Sequence, residues 1–380
     1  MMVSHRNTGS GFSLRLLHRH LKIFFIDALR ISLSSPSQAY FFYRTIRRQQ
    51  RAARIRSRWK EKGVHVPPII IFSITTRCNL QCRNCYAQAL HPPSSNELRD
   101  EEIWSILAEA REMGVSFFVI AGGEPFMRKK FLGITKDFPE ILFLVFTNGL
   151  LIDKTILSEL SKQKNVIPLI SLEGYEEETD LRRGEGVYGR LEEIIGRVRS
   201  RGIFFGTSLT VTRSTFRALT DERFVQNLVD ERCKFFLFLE YTPIMEGTED
   251  LVLTGEQRER LMLLMDAFHS RWPALFIAVP GHEAAVGGCL AAGRGFVHIS
   301  AEGDLEPCPF APFSDANLRD SSLKEALGSD LLKVLRQHPE QLRITDGGCC
   351  LWKRREWVKS LLRERTKRKD IAEMRRERGA

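Results

Sequence analysis

The stretch IIIFSITTRCNLQCRNC, residues 69–85, decides how the rest of the chain is read. Its first five residues, Ile69–Ser73, are almost all apolar and suit a strand buried on both faces, as in a parallel sheet covered by helices. Polar residues then end the strand, and Cys78, Cys82 and Cys85 follow within eight residues of loop. Three thiolates on one short loop can converge on a metal centre, and thiolates select zinc, copper(I) or iron–sulfur clusters over hard cations. Structural zinc usually recruits four ligands, commonly as two Cys-x-x-Cys pairs. Here the local set stops at three, because Tyr86 follows Cys85 and His91 stands six further on. A cubane held by three cysteines keeps one iron open, which favours catalysis over a structural zinc.

Outward from this stretch, short β-rich runs alternate with amphipathic helical segments. The strand-like runs are Ile69–Ser73, Phe117–Ala121, Leu142–Phe146, Val166–Leu172, Phe204–Val211 and Phe235–Glu240. Helical segments fall near Asp100–Met113, Lys129–Asp137, Lys154–Lys162, Tyr188–Arg201 and Asp221–Asp230. Six such repeats predict an α/β fold, a partial (β/α)6 TIM-like barrel with right-handed crossovers, whose chemistry sits where strands end. Pro67-Pro68 marks its start, giving an N-terminal segment 1–65 and a barrel 66–273. Beyond Ala274 the rhythm fades into a cysteine-bearing region, 274–352. It holds a short hairpin (Phe296–Ser300, then Leu305–Cys308) and a helix over Leu323–Gln337, before a basic C-terminal helix, 353–380.

The 380 residues, 43% hydrophobic and 27% charged, exclude a collagen, a coiled coil and a wholly disordered chain. The net charge of +10 is uneven: residues 1–65 carry +12, residues 353–380 carry +7, and the middle carries −9. Basicity therefore belongs to the ends and says nothing of the core's substrate. Within 12–33 and 38–62 the pattern is amphipathic, and Tyr40, Phe41, Phe42 and Tyr43 run into Arg44, Arg47, Arg48, Arg51, Arg54, Arg56 and Arg58. Such a segment either lies on an anionic membrane surface or packs on the protein's own surface; a nucleic-acid arm is the third reading, unsupported by any groove-reading motif. The apolar run Leu21–Leu33 is broken by Lys22, Asp27 and Arg30 and is too short to cross a bilayer. The expectation is a cytoplasmic protein, peripherally membrane-associated at most, whose eight cysteines serve something other than disulfides.

The Cys78-x3-Cys82-x2-Cys85 pattern after strand one resembles the radical S-adenosylmethionine (radical SAM) enzymes. So does Gly122-Gly123-Glu124-Pro125 at the end of strand two, and so do Thr147-Asn148-Gly149 and Ser171-Leu172-Glu173-Gly174 at the ends of strands three and four. The order of these motifs carries the resemblance, which covers about residues 69–240. It implies that the three cysteines hold a [4Fe-4S] cluster whose unique iron chelates SAM. It further implies that the GGEP element contacts the SAM amino group, that Ser171 touches the SAM carboxylate or ribose, and that Arg183 is a carboxylate partner. Asn148 and Glu173 are cofactor-binding candidates on the same ground. One departure is Asn84, where many members of the family carry an aromatic residue before the third cysteine.

Further on, Cys289-x13-Gly303-x4-Cys308 resembles the opening of the SPASM or shorter twitch extension of radical SAM maturases. Cys349, Cys350 or both would then complete an auxiliary [4Fe-4S] cluster; the competing reading is reduced core thiols. Cys233 has no partner in the pattern and is expected in the core. The resemblance implies reductive cleavage of SAM to a 5′-deoxyadenosyl radical that abstracts hydrogen from an unreactive C–H bond. An electron donor such as flavodoxin or ferredoxin is implied with it, and a peptide, lipid-linked or small-molecule substrate. The rival from another class is a non-enzymatic iron–sulfur or zinc protein that binds nucleic acid through its basic ends.

Overall fold

The computed structural model describes residues 26–33, 35–281, 288–343 and 349–363. Its strands are β1 (Ile69–Ser73), β2 (Phe117–Ala121), β3 (Leu142–Thr147), β4 (Val166–Leu172), β5 (Gly206–Val211), β6 (Phe235–Glu240), β7 (Leu275–Val279), β8 (Phe296–Ile299) and β9 (Leu305–Glu306). They form one sheet in the order β7-β6-β5-β4-β3-β2-β1-β8-β9. Pairing is parallel from β7 through β1 to β8, and only β9 runs antiparallel, against β8. This is the partial α/β barrel the sequence predicts, extended at both edges.

The extensions have identifiable causes. β7 follows the helix Gly255–Arg271, pairs with β6 and ends at Val279, before Pro280-Gly281. The hairpin β8–β9 is visible locally in the sequence, whereas its parallel pairing to β1 depends on tertiary packing. β7, β8 and β9, which the sequence reading left in a separate region, therefore extend the barrel's own sheet. The predicted helix 323–337 is two helices, Leu323–Leu327 and Asp330–Gln337. Gly328 ends the first, and the Ser329 hydroxyl accepts from Leu332 N to cap the second; glycine and serine both favour such ends over helix interiors.

Alternation of side chains gives the sheet two faces. One packs beneath the helices through Phe72, Phe118, Phe143, Phe236 and Phe238. The other changes along the strands. Near their N-terminal ends Phe117, Leu142, Ile167, Leu169, Phe235 and Leu275 form an apolar floor covered by Ala28 and Phe42. Near the C-terminal ends of β1, β4, β5 and β8 the same face presents buried Ser73, Ser171, Ser208 and His298. The polar end is where the site is built.

The floor is closed by the helix Pro36–Glu61, which buries Phe42 completely. The arginine row of this helix divides. Arg48 Nη1 donates to Pro139 O and Arg56 Nη1 to Gly114 O, each at 2.5 Å, while Arg44, Arg47, Arg51, Arg54 and Arg58 stay exposed. Packing on the protein's own surface thus accounts for Phe41, Phe42, Arg48 and Arg56. Residues 12–25 of the first amphipathic segment and 364–380 of the C-terminal one lie outside the described residues. Among the described residues, no helix is long and apolar enough to cross a membrane.

Candidate active site

Beyond β1 the chain is fixed in steps up to the cysteines. Glu97 accepts from Thr75 Oγ1 at 2.9 Å, from Thr76 N at 2.7 Å and from Thr76 Oγ1 at 2.9 Å, holding the two threonines that lead into the loop. Gly123 N then donates to Thr75 O and Glu124 N to Arg77 O, both at 2.8 Å. This contact explains the paired glycines. A Cβ on Gly122 would lie 2.2 Å from Thr75 O, and one on Gly123 would lie 2.1 Å from Arg77 O. Gly122 also has φ +113°, a region glycine enters without steric cost. The close approach is thus to the cysteine loop itself.

Glu124 is buried and accepts from Phe126 N at 3.1 Å, Thr147 Oγ1 at 2.8 Å and Asn148 N at 2.7 Å. Its carboxyl ties the end of β2 to the end of β3, while Pro125 opens the short buried turn Pro125–Met127. Burial raises this carboxyl to about 7. Asn148 passes the tie onward: its Nδ2 donates to Asn79 Oδ1 at 2.8 Å and lies 3.7 Å from Cys78 Sγ.

The last cysteine, Cys85, stands at the start of the helix Tyr86–Leu90. Asn84 before it has φ +55°, a left-handed conformation that asparagine tolerates far better than bulky residues. The missing aromatic residue at this position therefore has a backbone reason. On the other flank, Arg83 N donates to Arg182 O at 2.8 Å. Arg182 Nη1 and Arg183 Nη2 converge on the fully buried Glu173, at 2.7 and 2.5 Å. Arg183 keeps a buried Nε with no protein partner, a donor left over for an anion. Ser171 Oγ lies 2.9 Å from Ser208 Oγ on the neighbouring strand, part of the polar rim. Sequence reasoning missed Glu97, an ordinary charge on a loop until the fold brings it to the threonines before the cysteines.

Electrostatics place the three thiols together. Burial pushes Cys78 up, and the charges of Glu124, Cys82 and Cys85 push the same way. Burial also raises Cys82, where Arg183 and Arg182 oppose it. Three thiols, with the Arg182 and Arg183 guanidinium groups beside Cys82, make a donor set that suits a thiolate-ligated iron–sulfur cluster.

The second cysteine group is partly assembled. Ala292 N donates to Pro307 O at 3.0 Å, aligning the segment after Cys289 with the one before Cys308. Cys349 hydrogen-bonds with Cys308, which holds its thiol below the ordinary value, and Cys350 begins the turn Cys350–Lys353. Residues 344–348, including Gly347-Gly348, lie outside the described residues. The two cysteine groups are neighbours across Tyr86, whose ring packs 4.8 Å from Phe310. Burial, with Cys85 and Cys308 alongside, drives the Tyr86 hydroxyl strongly upward. Cys233 is a core thiol, fully buried, with Sγ 3.5 Å from Phe235 O.

Residues 72–227, which carry the end of β1, all of β2 to β5 and the ties around Cys78, Cys82 and Cys85, match the family model for the radical SAM superfamily. This match makes residues 72–227 a radical SAM domain. Members use a [4Fe-4S] cluster and SAM, and the thiols of the cysteine loop suit such a cluster. Among curated relatives, Fe-coproporphyrin III synthase of Methanosarcina barkeri is 28% identical over 57% of this chain and 56% of its own length. AdoMet-dependent heme synthase of the same organism is 22% identical over 75% of this chain and 89% of its own. In fold, the chain resembles Streptococcus suis SuiB bound to its precursor peptide SuiA, with a TM-score of 0.64 at 19% identity, over 81% of this chain and 77% of that one. It also resembles anSMEcpe with bound AdoMet, with a TM-score of 0.55 at 19% identity, over 69% and 80%.

Proposed function

We propose that this radical SAM enzyme is of the SPASM or twitch type, with Cys78, Cys82 and Cys85 holding the cluster that cleaves SAM. The observation that carries the reading is the convergence of three thiols at the polar end of the sheet, locked to the ends of β2, β3 and the helix Glu176–Arg183. When bound, the reduced cluster supplies the electron that splits SAM into methionine and a 5′-deoxyadenosyl radical, the abstractor of a substrate hydrogen. The chain's own groups bind and orient. Arg183, steadied by Glu173, offers its spare Nε to the SAM carboxylate, and Ser171 with Ser208 offers hydroxyls at the rim. The apolar floor under Phe42 closes the barrel from the opposite end and keeps water from that side. Cys289, Cys308 and Cys349, with Cys350 beside them, hold the auxiliary cluster in this reading.

Tetrapyrrole-forming names recur among the relatives, so an iron porphyrin is the first substrate to try. The test is anaerobic incubation of reconstituted protein with SAM and dithionite, scoring 5′-deoxyadenosine. Release in the wild type and its loss in the Cys78/Cys82/Cys85→Ala variant are expected. Zinc as the sole stoichiometric metal, with no SAM cleavage, would sink the reading.

A further inference from the structure

Beside the cysteine loop, a second group of donors converges that the SAM chemistry does not use. His91 follows the helix Tyr86–Leu90, His298 lies on β8 and Glu306 on β9. Their donor atoms all lie within 4.8 Å of one another. His298 and Glu306 are buried, and the His91 side chain is 14% exposed. Three donors from three separate elements, gathered this tightly, are spaced for one ion.

The hydrogen bonds around His298 sharpen the point. Its Nε2 lies 2.8 Å from Ser73 Oγ at the end of β1, and its Nδ1 lies 2.6 Å from Glu306 Oε2. In one tautomer Ser73 Oγ donates to Nε2 and Nδ1 donates to Glu306; in the other, Nε2 donates to Ser73 and the Nδ1 lone pair faces a carboxylate oxygen. Two acceptors at that distance require a proton or a cation between them. A proton would need only those two atoms. His91 Nε2 lies 4.0 Å from the same Glu306 oxygen and donates to Pro309 O at 3.3 Å, so it becomes a third ligand once its proton moves to Nδ1. Ser73 then has the usual role of the outer partner that fixes the tautomer and orientation of a metal-bound imidazole.

We propose that His91, His298 and Glu306 bind one divalent transition-metal ion, zinc being the best match to a two-imidazole, one-carboxylate set. Closing on the ion opens the 2.6 Å contact and draws His91 in from 4.0 Å. Three protein ligands leave a fourth position for water or substrate. The ion would tie the helix after the cysteine loop to the hairpin that leads into Cys308.

The test is metal analysis of the anaerobically purified, cluster-loaded full chain supplied with zinc, combined with zinc-edge X-ray absorption. The expected result is one zinc per chain with only nitrogen and oxygen in its shell, at about 2.0–2.1 Å. Glu306→Gln, nearly isosteric, and His91→Ala, at the most accessible ligand, should each lower bound zinc at least tenfold while iron per chain is unchanged. Zinc absent from the wild type would mean that a proton alone bridges the pair and would overturn the proposal. So would a shell containing sulfur at about 2.3 Å, or zinc retained in both variants.

Discussion

Gly123→Ala is the most exacting perturbation of the site, because one added methyl meets the backbone that carries the cysteines. The new Cβ would stand 2.1 Å from Arg77 O, 2.5 Å from Arg77 C and 2.8 Å from Thr76 O, whereas ordinary contact begins at 3.4 Å. The nearest atoms are backbone, so the loop must retreat by more than an ångström, one residue before Cys78. That retreat breaks Gly123 N to Thr75 O and Glu124 N to Arg77 O, each worth about 1 kcal/mol. Overpacking adds about 1–3 kcal/mol, so the closed loop loses roughly 3–5 kcal/mol. The assays are iron per chain after anaerobic reconstitution and the urea midpoint. Gly189→Ala is the matched control, since that glycine lies within the helix Val187–Ser200 with nothing within 4 Å, and it should gain up to about 1 kcal/mol. Gly123→Ala with wild-type iron loading and an unchanged midpoint would refute the claim that the GGEP glycines exist to seat the cysteine loop.

Two further substitutions test the electrostatic ties. Glu173→Gln leaves two guanidinium groups beside Cys82 without their buried counter-charge; a loss of about 3 kcal/mol in urea denaturation is expected, and a neutral result would show the clamp to be idle. Glu124 has its carboxyl raised to about 7 by burial, above the ordinary 4.5, so the folded protein retains a proton that the unfolded chain has released between those values. Its contribution to stability therefore falls as pH rises through that window. The urea midpoints of wild type and Glu124→Gln, measured at pH 5 and pH 8, should show the smaller pH dependence in the variant; equal dependence would remove Glu124 from the account.

Much of the fold is legible in the sequence because buried parallel strands are near-continuous apolar runs. β1, β2, β4 and β6 begin and end where their runs do. β5 starts at Gly206 instead of Phe204, since apolar residues continue past the strand's hydrogen-bonded part. β7 and the seating of β8 against β1 are not legible, because one is a short apolar run beyond the six β/α repeats and the other is set by packing across more than two hundred residues. In the site, the cysteine spacing and the strand-end motifs are local and readable. Their partners are less so: Glu97, Arg182 and Ser208 reach the site only through tertiary structure. The paired glycines illustrate the difference, since their spacing announces a close approach and only the coordinates say to what. The arginine row of the first long helix reads as one basic face, yet two of its members turn inward to carbonyl oxygens.

The central claim is that the Cys78 loop, and no other cysteines of the chain, presents a cluster to SAM. Electron paramagnetic resonance of the dithionite-reduced protein, recorded with and without SAM, tests it most directly. The account predicts a cluster signal that shifts on SAM addition, a shift retained in Cys289→Ala/Cys308→Ala and abolished in Cys78→Ala/Cys82→Ala/Cys85→Ala. A SAM-induced shift that survives in the latter variant would contradict it.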